Sequence, residues 1–288
     1  MTALRSLAQS AMADLADVPA RSRWVSRGDV RLHVLDYSVA DDDPRTPLLV
    51  LPGITMPAIG MDFVARELTD LVRPVVVDVR GRGLSDSGDS WSLEDYAEDA
   101  LAVLAGLGLR APVLLGHSMG ARIAGLAAVR AAERGLEITG SVLVDPPLSG
   151  PGRTPYPTSL AAFLGQLDEA ERGTTADEVA QSWPRWPRRE QELRARWLSS
   201  CAREAIEATH RGFESEDLFD WWSQVPQPVV FMYGEKSPVV TAAGADEARS
   251  AHLGAQFVSV QDAAHMVFWD APTDSLDMIR QLLAELVR

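Results

Sequence analysis

Residues 113–121 read Val113-Leu114-Leu115-Gly116-His117-Ser118-Met119-Gly120-Ala121. A G-x-S-x-G motif lies there between a short apolar run and an alanine-rich stretch, an order that is typical of a strand, a sharp turn and a helix. Such a turn holds the serine in strained backbone geometry, and a glycine two positions to either side removes side chains that would clash. The motif therefore predicts Ser118 as a nucleophile whose hydroxyl is open to a substrate.

Short continuous apolar runs recur along the chain before and after this segment, and such runs are typical of strands that are buried on both faces. They lie at residues 48–51, 75–79, 113–115, 142–144 and 229–233. Helical patterns alternate with them at residues 63–71, 93–107 and 121–132. The alternation predicts an α/β fold, in which an open, mostly parallel sheet carries helices on both faces. Upstream, a tight turn at Gly28 predicts an antiparallel hairpin.

The alternation stops after Asp145, and about eighty residues pass before the next apolar run, far more than a crossover connection needs. Residues 146–225 are called the insert below. The insert begins with a stretch rich in proline and glycine and continues with helical patterning. We expect a core domain formed by residues 1–145 and 226–288, and a helical cap, or lid, formed by the insert after the sixth strand.

A serine nucleophile needs a base within hydrogen-bond reach and an acid that fixes the tautomer of that base. His265 follows a strand-like segment at residues 256–260 and precedes a helical segment that begins near Pro272. The chain order of nucleophile, acid and histidine places the base at this point. The sequence therefore predicts His265 as the base.

The acid is expected after one of the two strands that precede the histidine strand. After residues 229–233 the chain reads Gly234-Glu235-Lys236-Ser237-Pro238, with a serine where an aspartate is usual. Asp145 ends the strand before that one, and the carboxyl ends of parallel strands meet at one edge of a sheet. We therefore predict Asp145 as the acid, with Glu235 and Asp262 as alternatives. An Asp145 that only caps the entry to the insert is the structural interpretation.

Attack on a carbonyl group creates an oxyanion, which preorganised backbone N–H groups stabilise. One donor is expected to be the N–H of Met119, directly after the nucleophile. The second is expected from the loop Leu51-Pro52-Gly53-Ile54-Thr55. Pro52 has no N–H and Gly53 permits close approach, which leaves the N–H of Ile54. Thr55 could add a side-chain donor, and an Ile54 that walls the pocket is compatible with this interpretation.

A second glycine-containing loop reads Asp78-Val79-Arg80-Gly81-Arg82-Gly83-Leu84-Ser85-Asp86. Its glycine spacing does not match that of a dinucleotide-binding loop. We expect its glycines to turn the chain beneath the oxyanion loop and Arg80 or Arg82 to pair within the protein. An anion clamp for a substrate is the alternative.

The composition excludes several classes of function. The chain has 288 residues, a formal net charge of −14 and a single cysteine, Cys201. The negative charge argues against nucleic acid or an anionic membrane surface as a partner. One cysteine permits neither an intrachain disulfide nor a cysteine-based metal cluster. Residues 1–20 lack the features of a secretion signal, and no apolar stretch is long enough to span a membrane. We expect a cytoplasmic protein without a metal or an organic cofactor.

Four elements resemble the α/β-hydrolase superfamily in their order along nearly the whole chain. They are Leu51-Pro52-Gly53, Asp78-x-Arg80-Gly81-x-Gly83-x-Ser85, Gly116-His117-Ser118-Met119-Gly120 and His265. The resemblance implies the α/β-hydrolase fold, with a mostly parallel eight-stranded sheet and a helical cap insertion. Two further segments are similar to the N-formylmaleamate deformylases, a family that also takes its acid from the sixth strand. They are His117-Ser118-Met119-Gly120-Ala121-Arg122 and Leu143-Val144-Asp145-Pro146-Pro147-Leu148-Ser149-Gly150-Pro151-Gly152-Arg153.

This narrower resemblance implies a serine hydrolase that cleaves the C–N bond of a small N-formyl amide through an acyl-enzyme, yielding maleamate and formate. The implied partner is a small amide or ester that bears a carboxylate, so a cationic anchor is expected. Arg153 at the entrance of the insert is the predicted anchor. Arg122 is the alternative. Pairing with surface carboxylates is the structural interpretation of both arginines and is favoured for Arg122. Thr55 and His117 complete the predicted substrate-binding residues.

Three other functions remain open from the sequence. A carboxylesterase or a C–C bond hydrolase acting on another small product of aromatic degradation would use the same three residues. A small-ligand receptor on a hydrolase scaffold is the non-enzymatic alternative, and the loss of the usual acid at Ser237 would suit it. A dehalogenase is disfavoured because it would need an aspartate in place of Ser118. The sequence leaves the oligomeric state open.

Overall fold

A computed structural model describes residues 9–40 and 42–288, with side chains from Ala11 onward. Over these residues the chain forms a single eight-stranded sheet in the order β1-β2-β4-β3-β5-β6-β7-β8. The strands are β1 (Arg21–Arg27), β2 (Val30–Asp36), β3 (Pro47–Leu51), β4 (Arg73–Val77), β5 (Val113–His117), β6 (Gly140–Val144), β7 (Val229–Gly234) and β8 (Gln256–Val260). β2 runs antiparallel to both of its neighbours, and the remaining pairs are parallel. The predicted α/β-hydrolase fold is confirmed.

Helices follow most of the parallel strands. They are α1 (Gln9–Ala13), α2 (Asp62–Arg66), α3 (Leu93–Gly106), α4 (Met119–Glu133), α5 (Leu160–Arg172), α6 (Ala176–Ser182), α7 (Arg188–Trp197), α8 (Arg203–Ser215), α9 (Phe219–Trp222), α10 (Ala242–Ala251), α11 (Val267–Asp270) and α12 (Pro272–Leu286). Short 3₁₀ helices cover Asp14–Asp17, Ala58–Met61 and Leu198–Ser200. Local capping sets several starts: the Ser92 hydroxyl accepts the N–H of Asp95 at the start of α3.

The central strands are buried on both faces, as their continuous apolar runs predicted. Leu49 of β3 and Leu114 of β5 belong to the core on one face of the sheet. Leu48 and Leu115, their neighbours along the same strands, belong to the core on the other face. Successive side chains of a strand point to opposite faces, so each central strand is held by two cores at once. The carboxyl ends of β5 to β8 are thereby fixed side by side at one edge.

The insert carries α5 to α9 between β6 and β7. Its tryptophans pack it onto the core: the indole N–H of Trp222 donates to the Ala248 carbonyl at 2.8 Å, and Trp221 lies against Gly125 of α4, where even a Cβ atom would be 2.5 Å from the ring. The five helices α5 to α9 confirm the helical patterning predicted for the insert. The division into a core domain and a cap stays a prediction.

Several boundaries differ from the sequence-based ones, and two of these differences shorten an element. The helix predicted for residues 63–71 is wrong in its extent, because α2 ends at Arg66 and the following turns close by bonds such as Leu71 N–H to the Leu68 carbonyl. β4 ends at Val77, two residues before the predicted end. Residues 1–8 belong to the segment that the sequence analysis found to lack the features of a secretion signal. They lie outside the described residues. The helices described here are too short or too polar to cross a membrane.

Candidate active site

Ser118 lies in the turn between β5 and α4 with φ 56° and ψ −120°, a left-handed conformation that side chains rarely adopt. The flanking glycines make this turn possible. A Cβ atom at Gly116 would lie 2.0 Å from the Gly120 carbonyl oxygen, and one at Gly120 would lie 1.8 Å from the Leu51 carbonyl oxygen. The turn also bonds to the next strand, because the Ser118 N–H donates to the Val144 carbonyl at 2.8 Å.

His265 lies in the segment between β8 and α11 and connects the two other predicted residues. Its Nε2 is 3.0 Å from the Ser118 hydroxyl oxygen. Its Nδ1 is 2.7 Å from Oδ2 of Asp145. An ionised carboxylate can only accept a hydrogen bond, so Nδ1 of His265 carries the proton that it donates to Asp145. Nε2 then presents its lone pair to the serine hydroxyl. The structure therefore joins Ser118, His265 and Asp145 by hydrogen bonds into one triad.

Asp145 follows β6 directly and is fully buried, with a positive φ of 50°. Besides His265, its carboxylate accepts the N–H of Gly234 at 3.0 Å and the hydroxyl of Ser237 at 2.6 Å. The Ser237 oxygen in turn accepts the N–H groups of Val239 and Val240. The serine at the usual position of the acid thus supports a carboxylate that comes from the neighbouring strand.

The two alternative acids lie elsewhere. Asp262 is exposed and forms an ion pair with Lys236, and Glu235 accepts the N–H of Asp262 at 3.4 Å. Neither carboxylate hydrogen-bonds to His265 among the residues that the structure describes.

Met119 and the loop of Ile54, from which the two oxyanion donors are predicted, lie next to the serine. Met119 is the first residue of α4, where an N–H has no partner within its own helix. The loop that contains Ile54 passes close by, since a Cβ atom at Gly53 would lie 3.5 Å from the Ser118 Cβ. The buried Arg82 fixes this loop by donating from Nε to the Ile54 carbonyl at 2.9 Å.

The arginines of the second glycine-containing loop pair within the protein, as predicted. Arg80 binds the buried carboxylate of Asp99 through two nitrogens, at 2.5 and 2.7 Å. Arg82 donates to five oxygens and therefore uses all of its N–H groups on protein acceptors. They are the carbonyls of Ile54, Arg80 and Ala205 and the hydroxyls of Tyr96 and Thr209.

His117 is buried beside His265 but bonds to its backbone. Its Nε2 is 2.9 Å from the His265 carbonyl oxygen, and burial lowers the pKa of His117 to about 3, with the neighbouring His265 adding to the effect. The imidazole is therefore neutral at physiological pH and donates from Nε2. This bond ties the loop of the base to the turn of the nucleophile.

The predicted anchors have different surroundings. Arg153 donates to the carboxylates of Asp217 at 2.8 Å and Glu247 at 2.9 Å, so its charge is balanced by two acids. Arg122 is buried; it donates to the Glu216 carbonyl at 2.6 Å and lies 4.0 Å from the Glu216 carboxylate. Thr55 is buried, and its carbonyl and hydroxyl oxygens both accept from Arg194.

Tyr156 of the insert also contacts this triad, a contact that the sequence analysis did not predict. Its hydroxyl is 3.3 Å from Nε2 of His265. Burial raises the pKa of this phenol, while a hydrogen bond with Ser118 acts against the rise. The hydroxyl therefore keeps its proton and can donate. The only sequence feature that could have indicated Tyr156 is its position near the start of the insert, in a stretch rich in proline and glycine.

Potential metal ligands do not cluster in the described part of the chain: no three His, Cys, Asp or Glu side chains lie together in the manner of a metal site.

Known proteins match this chain over most of its length. A model of the alpha/beta hydrolase family matches residues 48–277. An N-formylmaleamate deformylase from Pseudomonas putida is 37% identical over 249 residues, which cover 85% of this chain and 90% of that protein. A 2-(acetamidomethylene)succinate hydrolase from Mesorhizobium japonicum is 28% identical, covering 94% of this chain and 98% of that one.

A solved structure agrees with these sequence matches. The crystal structure of an N-formylmaleamic acid deformylase from Pseudomonas putida S16 superimposes with a TM-score of 0.83 and 34% identity, over 90% of this chain and 100% of that chain. The family model covers well over half of the chain, and the sequence relative exceeds the identity at which a shared family is secure. The chain belongs to the α/β hydrolase family and is a hydrolase.

Proposed function

We propose that this protein hydrolyses the C–N bond of a small N-formyl amide, with N-formylmaleamate as the first candidate substrate and maleamate and formate as products. The deformylase relatives support this choice of substrate. The observation that carries the chemistry is the position of His265, 3.0 Å from the Ser118 hydroxyl and 2.7 Å from the Asp145 carboxylate.

In the proposed first step, the Ser118 oxygen attacks the formyl carbon while Nε2 of His265 takes the hydroxyl proton. Asp145 accepts from Nδ1 throughout, which fixes the tautomer and stabilises the imidazolium that forms. The carboxylate itself is held by Gly234 and Ser237, so it can hold the ring in this orientation.

The tetrahedral intermediate carries a negative oxygen that faces the N–H groups of Ile54 and Met119. Each such donor contributes several kcal/mol to transition-state stabilisation, about 3 kcal/mol in comparable hydrolases. The bond from Arg82 to the Ile54 carbonyl keeps the first of these peptides in place.

Collapse of the intermediate breaks the C–N bond. The proton on Nε2 passes to the leaving nitrogen, which completes the amide of maleamate and leaves a formyl ester on Ser118. The leaving nitrogen is conjugated to a second carbonyl, so it needs less protonation than an amine. Water, activated by His265, then releases formate and restores the serine hydroxyl. In this proposal the insert acts as a cap over the core domain.

The test measures formate release from N-formylmaleamate by the purified protein, beside hydrolysis of a panel of p-nitrophenyl esters. Ser118→Ala is compared with Ser223→Ala, a matched change at an exposed serine. Formate release that only Ser118→Ala abolishes supports the proposal. Ester cleavage without formate release would indicate an esterase that uses the same residues, and formate release by Ser118→Ala at the native rate would overturn the mechanism.

A further inference from the structure

Arg194 of α7 is a buried cation whose partners in the described structure are neutral. Its side chain donates to the Thr55 carbonyl at 2.6 Å, to the Thr55 hydroxyl at 3.0 Å and to the Gln166 side-chain carbonyl at 2.9 Å. The residue is 9% exposed. Burial lowers the pKa of Arg194 to about 10, so the guanidinium is still charged at neutral pH.

Other buried arginines have a carboxylate nearby or a full set of acceptors. Arg73 and Arg80 each bind a buried aspartate through two nitrogens. Arg82 lacks a carboxylate, but five protein oxygens occupy its five N–H groups. Arg122 has no partner for Nε and Nη1 among the described residues, but it lies 4.0 Å from the Glu216 carboxylate, which would repel a bound anion. Arg194 is charged but donates to no carboxylate among the described residues. Three of its five N–H groups form hydrogen bonds, so two are left for a ligand.

The contacts of Arg194 place it beside the reacting groups. Thr55, which takes two of its hydrogen bonds, follows the proposed oxyanion donor Ile54 in the chain. The same loop lies against Ser118 at Gly53. Arg194 also lines a narrow cleft with the apolar side chains of Met56 and Trp269 and with Glu190, which pairs with Arg189. An anionic group bound by Arg194 would lie next to the loop that carries the proposed oxyanion donor.

We propose that Arg194 binds the carboxylate of the substrate and makes the site selective for small amides and esters that carry one. A buried cation is costly unless an anion pairs with it, and a carboxylate can take two guanidinium N–H groups at once. The identity of the amide rests on the proposed function, whereas the selectivity for a carboxylate does not. Arg194 replaces Arg153 in the role of anchor, because two acids already balance the charge of Arg153.

The test uses two pairs of substrates that differ in a negative charge. The first pair is N-formylmaleamate and its methyl ester, and the second is p-nitrophenyl hemisuccinate and p-nitrophenyl butyrate. We expect Arg194→Met to lower kcat/KM for the charged member about 30-fold, mainly through KM, as for a lost hydrogen bond to a charged group. The rate for the neutral member is expected to change less than about threefold. The neutral rate also shows that the variant is folded.

Three controls complete the design. Arg188→Met removes an exposed arginine of the same helix and should leave both rates unchanged. Arg194→Lys keeps the charge and should retain part of the preference for the charged member. Arg122→Met tests the competing cation. Equal losses on charged and neutral substrates with Arg194→Met, or a loss of selectivity only with Arg122→Met, would overturn the inference.

The two proposals fail separately. If the native protein releases no formate, the assigned substrate is wrong, and the ester pair still measures the effect of Arg194. If formate is released but Arg194→Met leaves the charge preference intact, the anchor is wrong and the deformylase proposal stands.

Discussion

The core and the insert reach the same site by different physical means. The core residues stand on constrained backbone: Ser118 and Asp145 have φ values of 56° and 50°, which the surrounding structure must hold in place. The insert brings the Tyr156 hydroxyl to His265 and, in the proposal above, the Arg194 guanidinium to the substrate, and neither residue has a positive φ. If the two proposals hold, the bond-breaking chemistry depends on the backbone of the core, whereas selectivity depends on side chains of the insert.

The largest effect is expected from a change in the core that keeps its shape. Asp145→Asn preserves the size of the side chain but removes the charge and lets the amide donate to His265, which favours the wrong tautomer. We expect kcat for p-nitrophenyl ester hydrolysis to fall about 10⁴-fold, as in other hydrolases of this design.

Asp262→Asn is the comparison for that change, because the sequence left Asp262 open as the acid. Its carboxylate pairs with Lys236 at the surface, so the rate should stay within about twofold of the native value. A larger loss from Asp262→Asn than from Asp145→Asn would show that the acid has been misassigned.

A second pair of variants tests the constraint on the backbone directly. Gly120→Ala would place a Cβ atom 1.8 Å from the Leu51 carbonyl oxygen, so the turn or β3 must move, at a cost of about 3 kcal/mol in the free energy of unfolding. Gly165→Ala in α5 of the insert meets open space and should stabilise the protein by up to about 1 kcal/mol, because glycine is a poor helix residue.

Chemical denaturation of the two variants measures both numbers on the same scale. The comparison between core and insert predicts opposite signs. Two destabilised variants, or two unaffected ones, would mean that the turn at Ser118 is no more constrained than a helix of the insert.

Sequence reasoning worked best where backbone geometry leaves few choices. Short continuous apolar runs that alternate with helical patterns favour strands of a doubly covered sheet, and the shared edge of their carboxyl ends then brings Asp145 and His265 together. The extent of α2 was missed because the bonds that close the turns after Arg66 leave no mark in the pattern of apolar residues.

The insert was less predictable because its contribution depends on tertiary contacts. Arg153 drew attention by its place in the chain, yet Asp217 and Glu247 neutralise it from 64 and 94 residues away. Arg194 reads in sequence as one of several arginines on a polar helix, and only its burial against Thr55 distinguishes it. The same holds for Tyr156, whose hydroxyl reaches His265 across 109 residues.

The smallest effect is expected from the hydroxyl of Tyr156. Tyr156→Phe keeps the ring, which packs 4.9 Å from Phe213, and removes only the donor 3.3 Å from Nε2 of His265. One neutral hydrogen bond contributes about 1 kcal/mol, so we expect a loss of about fivefold to tenfold. Tyr233→Phe, on β7, is the matched control and should leave both kinetic constants unchanged.

The kinetic constant that changes shows when the Tyr156 hydroxyl acts. A donor that bonds to the leaving nitrogen only as the C–N bond breaks lowers kcat and leaves KM alone, whereas a donor that holds the bound substrate raises KM with kcat unchanged. A fall in kcat would extend the bond-breaking chemistry into the insert and weaken the separation between the two regions. A rise in KM would sharpen it, since both side chains of the insert would then act in binding.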